Sequence, residues 1–142
     1  NEEYDTWKET CIKADKAGIL VITCDPECLD YGTLACAAGK DPDISENYWV
    51  GRYTSPSDVV RIPGGNRTLA SHRGTTVYTF FREGGMSWAA PYIAGLGALA
   101  FQVNPEIAPD RIKELLVETA VETGAGPVVN PGGFIRAVRD GE

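Results

Sequence analysis

The sequence predicts an α/β fold with a largely parallel sheet, because helical and strand-like segments alternate along its 142 residues. An apolar, β-branched run at 19–23 directly follows a helical pattern, as is typical of buried strands in parallel sheets. A long stretch of small and apolar residues at 89–103 predicts a buried helix. The chain length fits one compact domain or part of a larger one.

The first half of the chain is expected to begin with a helix and to continue as strands and loops. Over 3–17, apolar residues recur every three or four positions, and Gly18 is predicted to end the helix. Short apolar runs between turn residues then predict strands. These strands are predicted at 19–23, 33–38, 48–50 and 59–62, with a strand or an extended loop at 75–81.

The second half of the chain is expected to be mainly helical. The helix over 89–103 has almost no polar side chains, so we expect it to be buried on all sides, with Pro91 in its first turn. Pro109 is predicted to begin the next helix, because proline is well tolerated at the first helical position. A turn at 124–127, a short strand at 128–131 and a last helix at 134–138 complete the prediction.

Charge and composition exclude several classes of function. The net charge of −7 argues against a nucleic-acid or anionic-membrane partner, because Lys and Arg dominate such surfaces. The longest apolar stretch has about fifteen residues, whereas a membrane span needs roughly 20. The first residues are acidic and do not form a signal peptide, and position 1 is Asn. We therefore expect a processed or excised piece of a longer protein.

The four cysteines, at positions 11, 24, 28 and 36, have no regular spacing. Free structural thiols, a single disulfide, and a metal or redox site are the three alternatives. The cysteines therefore leave the cellular compartment open.

The most specific pattern runs over 85–95 and reads GMSWAAPYIAG. Gly84 and Gly85 allow a tight turn, and Ser87 follows at the predicted helix start, where backbone amides are unpaired. Such amides can stabilise an oxyanion, although a serine here can also simply cap a core helix. The run resembles the nucleophile motif of the subtilisin-like serine proteases (subtilases, peptidase S8), which reads GTSMAxPHVAG.

Other segments extend this resemblance in the family's order. Segments 104–116 and 124–131 resemble the helix and the closing turn that follow the nucleophile in subtilases, and 61–64 is similar to the family's Ala-Pro-Gly turn. The resemblance implies a three-layer subtilisin-like fold with a mostly parallel sheet. Residues 1–142 would form its C-terminal portion only, as a single partial domain.

The resemblance implies a serine-type endopeptidase in which Ser87 is the nucleophile. The catalytic Asp and His of subtilases come before the region seen here, so we expect them upstream of this chain. His72, the single histidine, lies in the wrong order for the family and is either a substitute base or a surface-loop residue. This chain alone is therefore predicted to be inactive.

The resemblance also indicates the positions that would surround a bound peptide. The oxyanion-hole asparagine of the family is replaced by an acid, Glu27 or, in another register, Asp25. Cys24, Gly85 and Met86 are the candidate substrate-binding residues. A short loop after Pro26, together with Met86 and Trp88, predicts a reshaped pocket for the residue before the cleaved bond.

The alternative function is a catalytically impaired subtilase relative that binds a peptide or a protein. No cofactor is expected. Calcium would follow only from the family resemblance, because the sequence contains no calcium-binding motif. The expected partner is a peptide or protein substrate, with no nucleic acid and no membrane span. An open sheet edge also predicts self-association or pairing with the N-terminal part of the domain.

Overall fold

The computed structural model describes residues 2–25, 31–37, 39–41, 44–50, 59–81 and 85–141 and has the predicted α/β architecture. The helices are α1 (Glu2–Lys16), α2 (Met86–Val103), α3 (Pro109–Glu118) and α4 (Pro131–Asp140). The strands are β1 (Tyr31–Cys36), β2 (Tyr48–Val50), β3 (Val60–Pro63), β4 (Arg67–Ala70), β5 (Tyr78–Phe81), β6 (Val121–Thr123) and β7 (Gly126–Val128). A 3-10 turn, Ser45–Asn47, precedes β2.

The main sheet has the order β2-β1-β3-β7-β6, with a parallel centre and antiparallel edges. β1 pairs with β3 in parallel, and β3 pairs with β7 in parallel through Arg61 and Val128. β2 and β6 are the antiparallel edge strands. Because side chains alternate along a strand, Val60 and Ile62 face one side of the sheet and Arg61 faces the other.

Helices α2, α3 and α4 pack on the sheet face of Val60 and Ile62. The core between them is apolar and fully dehydrated at its centre, where Ile62, Ile112 and Phe134 are each 0% exposed. α4 is held at its start by the Asn130 side chain, which accepts a hydrogen bond from the Gly133 amide at 3.0 Å. This packing fixes α2 against the central strands.

α2 differs in two ways from the sequence-based prediction. It is not buried on all sides, because Leu99 and Val103 are 47% and 42% exposed. Pro91 is also not in the first turn but is the sixth residue of the helix, so it cannot donate to the carbonyl of Ser87 four residues earlier. Among the described residues, no helix combines the length and apolar character that crossing a bilayer requires.

The strand predicted at 19–23 is wrong, because the described part of this segment forms no strand ladder. A strand needs a neighbour for its backbone groups, and the described neighbours of β1 are β2 and β3. The segment is held by side chains instead. Leu20 packs against Gly97 of α2, and the Tyr31 hydroxyl donates to the Thr23 carbonyl at 2.8 Å.

Two hairpin strands were not predicted. β4 pairs with β5 in a separate two-stranded sheet, and β6 pairs with β7 across a turn at 124–125. Both β4 and β6 are short and alternate only weakly between polar and apolar residues, so periodicity does not detect them.

Candidate active site

Ser87 is the second residue of α2, and its side chain is exposed. The helix begins after Gly85, whose carbonyl accepts hydrogen bonds from the amides of Trp88 at 3.0 Å and Ala89 at 3.3 Å. Within the described residues, the amides of Met86 and Ser87 donate to no acceptor. The first turn of α2 therefore places a hydroxyl beside unpaired amides at the positive end of a helix dipole.

Gly64 positions the start of α2 against the end of the sheet. A Cβ added to Gly64 would lie 3.3 Å from the Gly85 carbonyl oxygen and 3.4 Å from the Gly85 nitrogen. The Gly64 amide also donates to the Leu34 carbonyl at 2.9 Å, which attaches this turn to β1. Ser87 consequently lies near the carboxyl ends of two parallel strands, the edge where α/β sheets bind ligands.

Aromatic side chains line one flank of this helix start. The Trp88 ring packs against Phe81 with ring centroids 4.9 Å apart and an interplanar angle of 59°. Phe80 and Tyr78 lie on the same strand but face the other side of the hairpin from Phe81, and they are 58% and 68% exposed. Met86 packs against the core instead, so of the two bulky neighbours of Ser87 only Trp88 contributes to this aromatic flank.

Of the two candidate oxyanion-hole residues, Asp25 is among the residues that the structure describes and Glu27 is not. Asp25 accepts a hydrogen bond from the Tyr4 hydroxyl at 2.9 Å, and its amide donates to the Thr23 hydroxyl at 3.0 Å. Asp25 is therefore attached to α1. Cys24, a candidate substrate-binding residue, is exposed next to it. Glu27 lies outside the described residues.

Tyr31 stabilises the segment that leads to Cys24 and Asp25, and sequence reasoning assigned it no role. Its side chain is buried and its hydroxyl donates to Thr23, eight residues earlier. Burial, with a smaller contribution from Cys24, raises the pKa of Tyr31 well above its ordinary value. A tyrosine just before a predicted strand gives no sequence signal for this contact.

His72 lies in the loop that joins β4 to β5 and is exposed. The paired residues of this hairpin run from Ala70 and Tyr78 at the loop to Arg67 and Phe81 at the base. The three residue steps from Tyr78 to Phe81 correspond to about 10 Å. Because Phe81 contacts Trp88, the residue after Ser87, His72 occupies the opposite end of the hairpin from Ser87.

No group of three His, Cys, Asp or Glu side chains converges anywhere in the described ranges. Cys11, Cys24 and Cys36 have free thiols, whereas Cys28 lies outside these ranges. Of the three alternatives for the cysteines, the described ones fit free thiols.

Comparison with known proteins matches the part of the chain that contains Ser87 to a protein family. The sequence model of the subtilase family matches residues 40–134. A curated relative, the serine protease AprX of Bacillus subtilis (strain 168), is 49% identical over 37 residues, which are 26% of this chain and 8% of that protein. The matched stretch is thus short, while the family match covers most of the chain.

Solved structures resemble the fold. A protease from Pseudoalteromonas arctica matches with a TM-score of 0.65 at 20% identity, covering 92% of this chain and 46% of that one. The A-subunit of the AB5 toxin from E. coli matches with a TM-score of 0.63 at 15% identity, covering 96% of this chain and 56% of that one. The subtilase cytotoxin SubAB matches at 0.54 and 19% identity, covering 77% and 36% of the two chains. This chain therefore spans between about a third and just over half of the length of these structures.

Proposed function

Because this chain belongs to the subtilase family, a family of serine peptidases, we propose that it is the part of a serine endopeptidase that contains the nucleophile, Ser87. One observation carries the proposal: an exposed serine hydroxyl in the first turn of α2, next to two amides that meet no acceptor among the described residues. Acyl transfer needs a nucleophile and donors for the oxyanion in the same place.

In this proposal the Ser87 hydroxyl attacks a peptide carbonyl carbon, and the carbonyl oxygen becomes an oxyanion. The amides at the start of α2 are aimed at that developing charge and cost no reorganisation when it forms. The base that takes the Ser87 proton, and the carboxylate that orients the base, are supplied from upstream of Asn1. His72 is remote from Ser87 and takes no part.

The exposed apolar face of α2 supports an upstream contribution. Leu99 and Val103 lie one turn apart on this helix and are largely exposed, although the helix is otherwise apolar. A domain part that brings the histidine and the aspartate would cover this face and remove it from water. Without that part, the same face makes the chain prone to self-association.

Reaction with a fluorophosphonate tests the proposal in the intact protein, which includes the upstream part. We expect covalent labelling at Ser87, complete loss of labelling in Ser87→Ala, and unchanged labelling in Ser71→Ala, a serine of the hairpin loop. A folded intact protein that shows no labelling would contradict the assignment. The 142-residue chain by itself is expected to remain unlabelled, because a serine without a base is a weak nucleophile.

The second candidate is a peptide-binding module without turnover, and the aromatic flank favours it. Phe81, which contacts Trp88, presents a hydrophobic surface beside Ser87 that would hold apolar side chains of a peptide. This function predicts peptide affinity that Ser87→Ala leaves unchanged and Phe81→Ala lowers. The endopeptidase instead predicts cleavage that Ser87→Ala abolishes.

A further inference from the structure

No described side chain caps the helix that contains Ser87. The N-cap residue of α2 is Gly85, which has no side chain that could accept a hydrogen bond from the first turn. A capping serine or aspartate would accept from the amide two or three residues further on, which here belongs to Ser87 or Trp88. Glycine at the cap therefore leaves the Ser87 amide free, but it also removes the usual group that fixes a helix start.

The Trp88 ring folds back over this helix start. A Cβ added to Gly85 would lie 3.6 Å from Cζ3 and 3.7 Å from Cε3 of the ring, so the ring lies on the side of Gly85 from which a side chain would project. Long side chains of a helix point toward its N-terminus, which explains this direction. The Trp88 amide also donates to the Gly85 carbonyl at 3.0 Å. The ring and the amide of one residue thus both contact the cap position.

Phe81 connects the Trp88 ring to the β4–β5 hairpin. The two ring centroids are 4.9 Å apart, and the interplanar angle of 59° is that of a tilted aromatic pair, an arrangement that aromatic rings favour. Phe81 is the last residue of β5 and lies opposite Arg67 of β4, so the contact is at the base of the hairpin. The aromatic pair therefore joins the start of α2 to the hairpin through side chains.

An apolar contact across a helix start fixes the angle at which the chain enters the helix. In the hydrophobic staple, a residue before the N-cap packs against a residue near the end of the first turn. The Phe81–Trp88 pair joins the same two regions, because Phe81 precedes the N-cap Gly85 and Trp88 lies in the first turn of α2. Unlike a side-chain cap, this contact occupies no backbone amide.

We propose that Phe81 and Trp88 are positioning residues for Ser87. Their aromatic contact fixes the first turn of α2 in place of a side-chain cap and so leaves the amides at positions 86 and 87 unoccupied. The inference rests on the proposed function, in which these amides donate to the oxyanion. A cap at position 85 would anchor the helix start about as strongly as the aromatic pair does, but it would occupy one of the donors.

Hydrogen exchange in the intact protein tests the anchoring without reference to the proposed function. Phe81 is 37% exposed, so its truncation leaves the core intact. In Phe81→Ala, the amides of Trp88 and Ala89, resolved by electron-transfer fragmentation, are expected to exchange about fivefold faster. The Asn104 amide, bonded at the far end of α2, should keep its rate, and the matched control Phe80→Ala should change none of these rates. Wild-type exchange at the helix start of Phe81→Ala would overturn the proposal.

Labelling of the intact protein with a small fluorophosphonate that has no peptide portion measures the position of Ser87. Phe81→Ala is expected to lower the maximal labelling rate about fourfold, because a shift of a few tenths of an ångström suffices, and to leave the half-saturating reagent concentration unchanged. Phe81→Tyr keeps the ring and should label at the wild-type rate. An equal loss in Phe80→Ala, or a loss confined to the half-saturating concentration, would overturn the positioning role. An unlabelled wild type would contradict the proposed function, whereas the exchange rates would still decide the anchoring.

Adding a cap to Phe81→Ala separates anchoring from positioning. Gly85→Ser introduces an N-cap hydroxyl, and its Cβ meets only the Trp88 ring, at an ordinary contact distance. In the Phe81→Ala background it should return Ala89 exchange to near the wild-type rate, yet labelling should be at least about tenfold slower than in wild type, because the hydroxyl occupies the Ser87 amide. Gly85→Ala, the control without a hydroxyl, should restore neither. If Gly85→Ser restores labelling together with exchange, a cap serves Ser87 as well as the aromatic pair does and the proposal is wrong.

Discussion

Substituting Gly64 by alanine tests whether the turn after β3 positions the nucleophile. The new Cβ would lie 3.3 Å from the Gly85 oxygen and 3.4 Å from its nitrogen, both atoms of the main chain. Main-chain atoms cannot rotate away as a flexible side chain can. The start of α2, with Ser87, must therefore move by a few tenths of an ångström.

The size of the effect follows from this displacement. Overpacking of a well-packed site costs on the order of 1–3 kcal/mol, and we expect about 1 kcal/mol here because the required shift is small. A misplacement of about 1 Å costs roughly a hundredfold in rate, so a few tenths of an ångström should slow labelling of Ser87 about fourfold.

Two assays measure the loss of stability and the displacement of Ser87 separately. Urea unfolding of the chain measures the loss of stability, and the rate of fluorophosphonate labelling in the intact protein measures the position of Ser87. Gly124→Ala is the matched control, because a Cβ there meets nothing within 4 Å, and its stability should change by less than about 0.5 kcal/mol. If Gly64→Ala labels at the wild-type rate, or if Gly124→Ala behaves in the same way, the close approach does not position Ser87.

Three other predictions concern the fold and its assembly. Phe134→Ala should lower the free energy of unfolding, measured in urea, by about 4 kcal/mol, because this ring is 0% exposed. The control Phe80→Ala should change it by less than about 0.5 kcal/mol. Similar losses in the two variants would refute the assigned core. Tyr31→Phe should cost about 1 kcal/mol by removing the hydrogen bond to Thr23. Folding raises the pKa of Tyr31, so above pH 10.0 this hydroxyl ionises in the unfolded chain before it does in the folded one, and wild type should lose stability as the pH rises. Tyr31→Phe should show a smaller loss. Identical stability profiles of the two proteins at alkaline pH would contradict this. Size-exclusion chromatography with light scattering should show self-association of the chain that Leu99→Lys reduces, and a stable monomer at every concentration would contradict an exposed apolar face on α2.

The sequence predicted those parts of the fold that depend on local patterns. The proline at 109 and the β-branched residues around Val60 each specify an element whose packing agrees with its pattern, and the small-residue run before Val103 specifies the helix α2. These elements also contain Ser87 and the turn at Gly64. The helix that contains Ser87 and the turn at Gly64 could therefore be located from the sequence, whereas the role of Ser87 as nucleophile remains a proposal.

What the sequence did not predict depends on contacts between distant segments. The apolar run at 19–23 has a strand pattern, yet a strand forms only if a neighbour pairs with it. The same limit applies to α2, whose composition indicates burial although Leu99 faces solvent. Tyr31 acquires its role from burial, for which the sequence contains no signal.

The central claim is that Ser87 is an enzyme nucleophile rather than the cap of a core helix. The most direct measurement is mass spectrometry of the intact protein after reaction with a fluorophosphonate, compared with Ser87→Ala. The account predicts one covalent adduct per chain, located on the peptide that contains Ser87, and no adduct in the variant. A folded intact protein without an adduct, or an adduct that persists in Ser87→Ala, would contradict it.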